Sequence, residues 1–179
     1  MKISLKTDKE TLLKLLKEGD FNKKLKIFNK LGELSESDRI KILLKILEDN
    51  SWYLREQATC ELAKYGNKLV PRLKKLCSKG FWYTRAAACR TLGEIGDLEG
   101  MDAILNLLFN DTNPTVVKEA KGAIKKLAEI NKNAFLQKLR ENIDRMNPTC
   151  DFYSILSDAI PELAEKFIEI FSQVRKNGT

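Results

Sequence analysis

Residues 50–66 read NSWYLREQATCELAKYG, and residues 80–96 read GFWYTRAAACRTLGEIG. Both carry Trp-Tyr-x-Arg-x-x-Ala. Setting Trp52 on Trp82 places Arg55 on Arg85, Ala58 on Ala88, Leu62 on Leu92, Tyr65 on Ile95 and Gly66 on Gly96. The register continues to Pro114, Val117, Ala120, Ile124 and Leu127, and runs back to Phe21, Lys24, Ile27, Leu31 and Leu34. The intervals are 31, 30 and 32 residues, and self-similarity at such a period marks a stacked repeat array. Within each stretch, apolar or small residues recur at spacings of three and four, as one face of a helix requires.

Between these stretches lie second helical patterns: RIKILLKILED at 39–49, LVPRLKKLCSK at 69–79, MDAILNLLFND at 101–111 and FLQKLRENIDRM at 135–146. Gly66 and Gly96 stand where a helix ends, because glycine tolerates the left-handed conformation there. Asp49, Gly80 and Asp111 mark turns inside the hairpins, and Pro71 and Pro114 fall near helix starts, where a missing N–H costs little. The repeating unit is a helix hairpin of about thirty residues, which cannot bury its apolar faces alone and must stack. The expected fold is all-α: an α-α superhelix, or solenoid, of about five hairpins with capping helices. The units fall at 7–34, 37–66, 69–96, 98–130 and 133–160, within a single domain over 1–179. Ala58, Ala88 and Ala120 are expected to let neighbouring helices approach closely, since larger residues there would overpack the stack. Thr7 and Glu10 fit a capping box, and residues 146–150, MNPTC, read as a turn. The helix predicted over 161–176 presents Leu163, Phe167, Ile170, Phe171 and Val174 on one face, which seals the last hairpin or docks a partner.

The segments LGEIGDLEGMDAILNLLFND (92–111), VPRLKKL (70–76) and DNSWYLREQA (49–58) resemble HEAT repeats of the short, phycobilisome-lyase-like type, strongly over 37–130 and more weakly over 7–34 and 131–160. The resemblance implies that the first helix of each unit lies outside and the second lines a concave side. It also implies a ladder between units, in which an Asp in the turn meets an Arg in the second helix, so that Asp49, Arg55 and Arg85 would be structural. Val117 stands in the Arg place of the next unit, so the ladder should stop there. Functionally the resemblance implies a non-enzymatic scaffold for a protein or peptide. HEAT-like repeats also build alkylpurine DNA glycosylases, whose Trp-and-Asp site has no convincing match here, and a bilin-lyase accessory role is the third reading.

The chain of 179 residues contains no histidine, which removes the commonest general base and every His-containing triad. Its cysteines, at 60, 77, 89 and 150, form no Cys-x-x-Cys pair, so neither a structural zinc nor another cofactor is expected. Cys60, Cys77 and Cys89 fall within helical patterns and read as buried free thiols acting as small hydrophobes. Cys89 or Cys150 as a nucleophile lacks an activating neighbour. No stretch reaches the roughly 18 apolar residues of a membrane span, and the start MKISLKTDKE has no apolar run after its Lys. The expectation is therefore a cytoplasmic protein without a signal peptide.

Net charge is +7, and its distribution is uneven. Residues 62–93 hold eight basic side chains and no acidic one: Lys64, Lys68, Arg72, Lys74, Lys75, Lys79, Arg85 and Arg90. Lys68, Arg72, Lys75 and Lys79 form one stripe, read either as a solvated face or as a surface for an anionic partner: an acidic protein segment, a nucleic-acid backbone or a lipid surface. A further basic run includes Lys118, Lys121, Lys125 and Lys126, whereas 151–169 is acidic. Trp52 and Trp82 are expected to pack between hairpins, turning Tyr53 and Tyr83 elsewhere. Tyr53, Tyr83, Arg90, Lys64 and Lys121 are the candidate partner-binding residues, because Tyr, Trp and Arg dominate binding hot spots.

Overall fold

The computed structural model describes residues 9–146 and 150–177. The described residues form helices and no β-strand: α1 (Lys9–Glu18), α2 (Phe21–Asn29), α3 (Glu36–Ile46), α4 (Trp52–Ala63), α5 (Val70–Ser78), α6 (Trp82–Ile95), α7 (Met101–Asn110), α8 (Pro114–Ile130), α9 (Lys132–Met146), α10 (Cys150–Ala159) and α11 (Ala164–Asn177). The helices belong to two compact units, residues 1–65 and 66–179.

In the first unit α1 pairs with α2 and α3 with α4, and α1 also packs on α3. The core here is Leu12, Leu16, Ile27, Ile42, Leu43, Leu54 and Leu62. In the second unit the hairpins α5/α6 and α7/α8 stack in two layers. The first helices α5, α7 and α9 contact one another in series, as do the second helices α6, α8 and α10. The C-terminal α11 lies against α9 and α10, burying Leu163, Phe167, Ile170 and Phe171. These four residues of the predicted face pack inward, and the side chain of Val174 lies outside the described residues.

The repeat register is visible in the burial pattern. Ala58, Ala88 and Ala120 are each fully buried, at like points on α4, α6 and α8. Leu62, Leu92 and Ile124 follow one turn later and are also buried. Second helices approach closely at Gly93, where a Cβ would lie 2.8 Å from both Cα and Cβ of Ala123. Helix ends are set locally. Asp20, Ser35, Ser51 and Asn113 accept backbone N–H groups as N-caps of α2, α3, α4 and α8, satisfying donors that a helix leaves unpaired. Gly96 closes α6 at φ +74, a conformation that costs an L-residue with a Cβ about 1 kcal/mol or more.

Two expectations are overturned. Trp52 and Trp82 do not pack between hairpins: they are 71% and 43% exposed. The inward stripe of α4 runs through Leu54, Ala58 and Leu62, and at about 100° per residue Trp52 lies roughly 200° from Leu54. The same offset separates Trp82 from the buried Thr84. Cys60 is exposed rather than a core thiol, for it lies two residues past Ala58 on the far side of the same helix. Thr7 of the capping box and residues 147–149 of the MNPTC turn lie outside the described residues.

Candidate functional site

The exposed tryptophans sit in aromatic clusters at the N-terminal ends of second helices. In the first unit the Tyr53 ring lies 6.0 Å from Phe21 and 6.0 Å from Trp52, edge-on to both. All three rings reach solvent. In the second unit Phe81, the residue before α6, stacks on Tyr83 at 5.3 Å and 16°, and Trp82 meets Tyr83 edge-on at 5.6 Å. Phe81 is 69% exposed, although a ring of this size is ordinarily interior. Tyr53 and Tyr83 were expected at such surfaces. Phe21 and Phe81 were not, and the aromatic run Phe81-Trp82-Tyr83 at the start of α6 is the signal that would find the second.

Beside each cluster a charged rung fixes the turn. Asp49 accepts the Ser51 N–H at 2.8 Å, and Asp111 accepts the Asn113 N–H at 2.9 Å, the same two-residue reach in each. Each carboxylate also receives a cation from the preceding second helix. Lys24 pairs with Asp49 at 2.6 Å. Arg85 binds Asp111 in a two-pronged fork at 2.6 and 3.0 Å, the planar geometry that guanidinium and carboxylate share. The Asp111 carboxyl is consequently held below its ordinary range, chiefly by its hydrogen bond from Arg85. Arg55 serves its own turn, donating to the Asp49 carbonyl at 2.7 Å, as Arg85 does to Gly80 at 2.9 Å. The ladder thus contains Lys24, which occupies the Arg place of its repeat.

The basic residues divide between the layers. Lys68, Arg72, Lys75 and Lys79 are exposed on and around α5, in the first-helix layer. Arg90 on α6 and Lys121 on α8 belong to the second-helix layer, and Lys64, in the first unit, follows α4. Several cations are engaged. Lys64 pairs with Glu61 at 2.5 Å, Lys121 with Asp158, Lys126 with Glu94, and Lys74 with Asp102 at 2.7 Å. The acidic segment after residue 150 thus folds back on α8 through Asp158. Lys68, Lys74 and Lys75 border a groove of about 670 Å³ between α5 and residues 97–99; neither Arg90 nor Lys121 lines it.

The two buried cysteines are held in an unreactive state. The Cys77 thiol is pushed up to about 12, first by burial and then by Asp102. Cys89, wholly buried, is raised well above its ordinary value for the same leading reason. Both are held as thiols, the unreactive form. Among the described residues no group of His, Cys, Asp and Glu is placed to hold a metal ion, and no helix is long and apolar enough to cross a membrane.

Residues 68–149 match the family model described as HEAT repeats. A sequence search of curated proteins finds no match. Among solved structures the chain is similar to one in the complex of CpcE and CpcF of phycocyanin lyase from Nostoc sp. PCC7120, with 21% identity, a TM-score of 0.48 and coverage of 89% of this chain and 66% of that one. It is also similar to a designed armadillo repeat protein in complex with the peptide (KR)4, with 17% identity, a TM-score of 0.39 and coverage of 94% and 99%. The chain spans about two thirds of the length of the lyase chain that it matches.

Proposed function

We propose that the chain, whose residues 68–149 match the HEAT-repeat model, is a non-enzymatic adaptor that binds a protein or peptide partner. The observation that carries this reading is the exposure of Phe81 and Trp82 at the start of α6. Large rings held rigid by mutual stacking provide contact area at little entropic expense, and such residues concentrate binding energy when a partner desolvates them. Tyr83 supports the platform from beneath. Trp52 and Tyr53 offer a comparable platform on the first unit. Arg90, Lys64 and Lys121 add positive charge that would steer an acidic partner at longer range, with Lys64 and Lys121 exchanging Glu61 and Asp158 for the partner's carboxylates.

Trp82→Ala tests this directly. The ring is 43% exposed and lies off the buried stripe of α6, so the variant should melt close to the parent. A partner captured on the immobilised chain should bind the variant with about 30-fold weaker affinity, the equivalent of a hot-spot loss of about 2 kcal/mol. Titration calorimetry against the captured protein provides the measurement. Equal affinity for the parent, Trp82→Ala and Phe81→Ala would remove the site from α6.

A further inference from the structure

We propose that the groove between α5 and residues 97–99 is a separate docking site, one that takes a short extended acidic peptide carrying an apolar side chain. It lies in the first-helix layer and does not depend on the aromatic platforms.

Charge accounting identifies the ligand. On the far wall Glu99 is balanced by Lys138 at 2.5 Å, while Asp97 accepts the Glu99 N–H at 2.9 Å and keeps its charge, so the ligand must set an uncharged residue opposite it. Lys74 is likewise committed, to Asp102 at 2.7 Å and to the Glu99 carbonyl at 3.2 Å. Lys75, on the near wall, is exposed and makes no ion pair among the described residues. The same holds for Arg72 and Lys79, one position farther around the helix. Like charges along one face repel, and no acid occurs in residues 62–93 to relieve them. An anionic ligand would supply that relief.

The remainder of the lining decides which anion. Val70 and Pro71 form an apolar floor beside Asn67, which can hydrogen-bond a peptide backbone, and Ser78, whose hydroxyl donates to the Lys75 carbonyl at 3.0 Å and can still accept a peptide N–H. No aromatic residue lines the groove, so nucleic-acid bases would have nothing to stack on. Asp97 would also oppose an unbroken row of phosphates, whereas a peptide can place an uncharged residue opposite it. The nine residues of α5 span about 14 Å at 1.5 Å per residue, the length of about four extended residues.

The probe is a fluorescein-labelled Asp-Glu-Leu-Glu-Asp peptide, read by fluorescence anisotropy against the full chain at low salt. Saturable binding is expected, weakening as salt is raised. Lys75→Glu should lower the affinity about tenfold, or about 1.4 kcal/mol; Arg72→Glu, on the next position of the stripe, is the substitute if Lys75→Glu shifts the melting temperature. A peptide with Ser in place of Leu should bind about fivefold more weakly, for want of the apolar contact. No binding by the parent chain, equal binding of the Leu and Ser peptides, or tighter binding of an oligothymidylate would each overturn the proposal, the last in favour of a phosphate-backbone ligand.

Discussion

Gly93→Val is expected to destabilise the second unit by about 3 kcal/mol, at the upper end of the ordinary overpacking range. The reason is the identity of the atoms in the way. A Cβ at residue 93 would sit 2.8 Å from the Ala123 Cα, and a backbone atom cannot rotate aside as a side-chain tip can. Accommodation would require α6 and α8 to move apart, opening the contacts around Ala88, Ala120 and Ile124, all fully buried. For a chain of this size the loss corresponds to a drop of about 6–12 °C in melting temperature, measurable by circular dichroism. Gly122 provides the control, because a Cβ there meets nothing within 4 Å. Gly122→Ala should be neutral or stabilise by up to about 1 kcal/mol through helix propensity. Destabilisation of equal size at both glycines would mean that the helix contact at Gly93 is not what matters.

Asp111→Ala should cost about 3 kcal/mol at neutral pH. The carboxylate is only 5% exposed and joins two elements, accepting both prongs of Arg85 and the Asn113 N–H. Removing one partner of a mostly buried pair leaves the other uncompensated, and here the turn before α8 also loses its fastening. The effect has a defined pH dependence. Arg85 depresses the Asp111 carboxyl in the folded chain, so its stabilisation is fully present above the unfolded value of about 3.9. It is lost as pH falls through the lower folded value. Urea unfolding should therefore show a large difference between parent and Asp111→Ala at pH 7 that narrows steadily below about pH 4. A difference independent of pH would assign the loss to packing rather than to the ion pair.

The repeat was legible because its signal is periodic. Ala58, Ala88 and Ala120 return at one interval, and their burial follows from that register. The direction of the tryptophans is legible in the helical angle, which turns them outward, although residue type alone points them inward. Leu54, Thr84 and Val116, two places after the Trp position in successive repeats, are the buried set, and a helix cannot turn positions two apart toward the same side. The Lys24–Asp49 rung was hidden by chemistry, since Lys occupies a place where the pattern led one to look for Arg. Gly93 was hidden for a different reason. Nothing in TLGEIG says which atom of a distant helix lies opposite, whereas Gly96 announces itself through the helix end that it makes. The groove beside α5 was half visible: its cations stand in the sequence, but the partners that occupy Lys74, Asp97 and Glu99 are distant in the chain or belong to a turn.

The rings that crown α4 and α6 are a liability whenever the chain is alone. Exposed apolar patches draw identical molecules together, and the counterweight is mutual repulsion between copies bearing +7 each. That repulsion reaches only about 8 Å at physiological ionic strength. Concentrated electrolyte therefore removes the barrier while leaving the stickiness intact, so the chain's colloidal stability rests on its net charge rather than on the patches themselves.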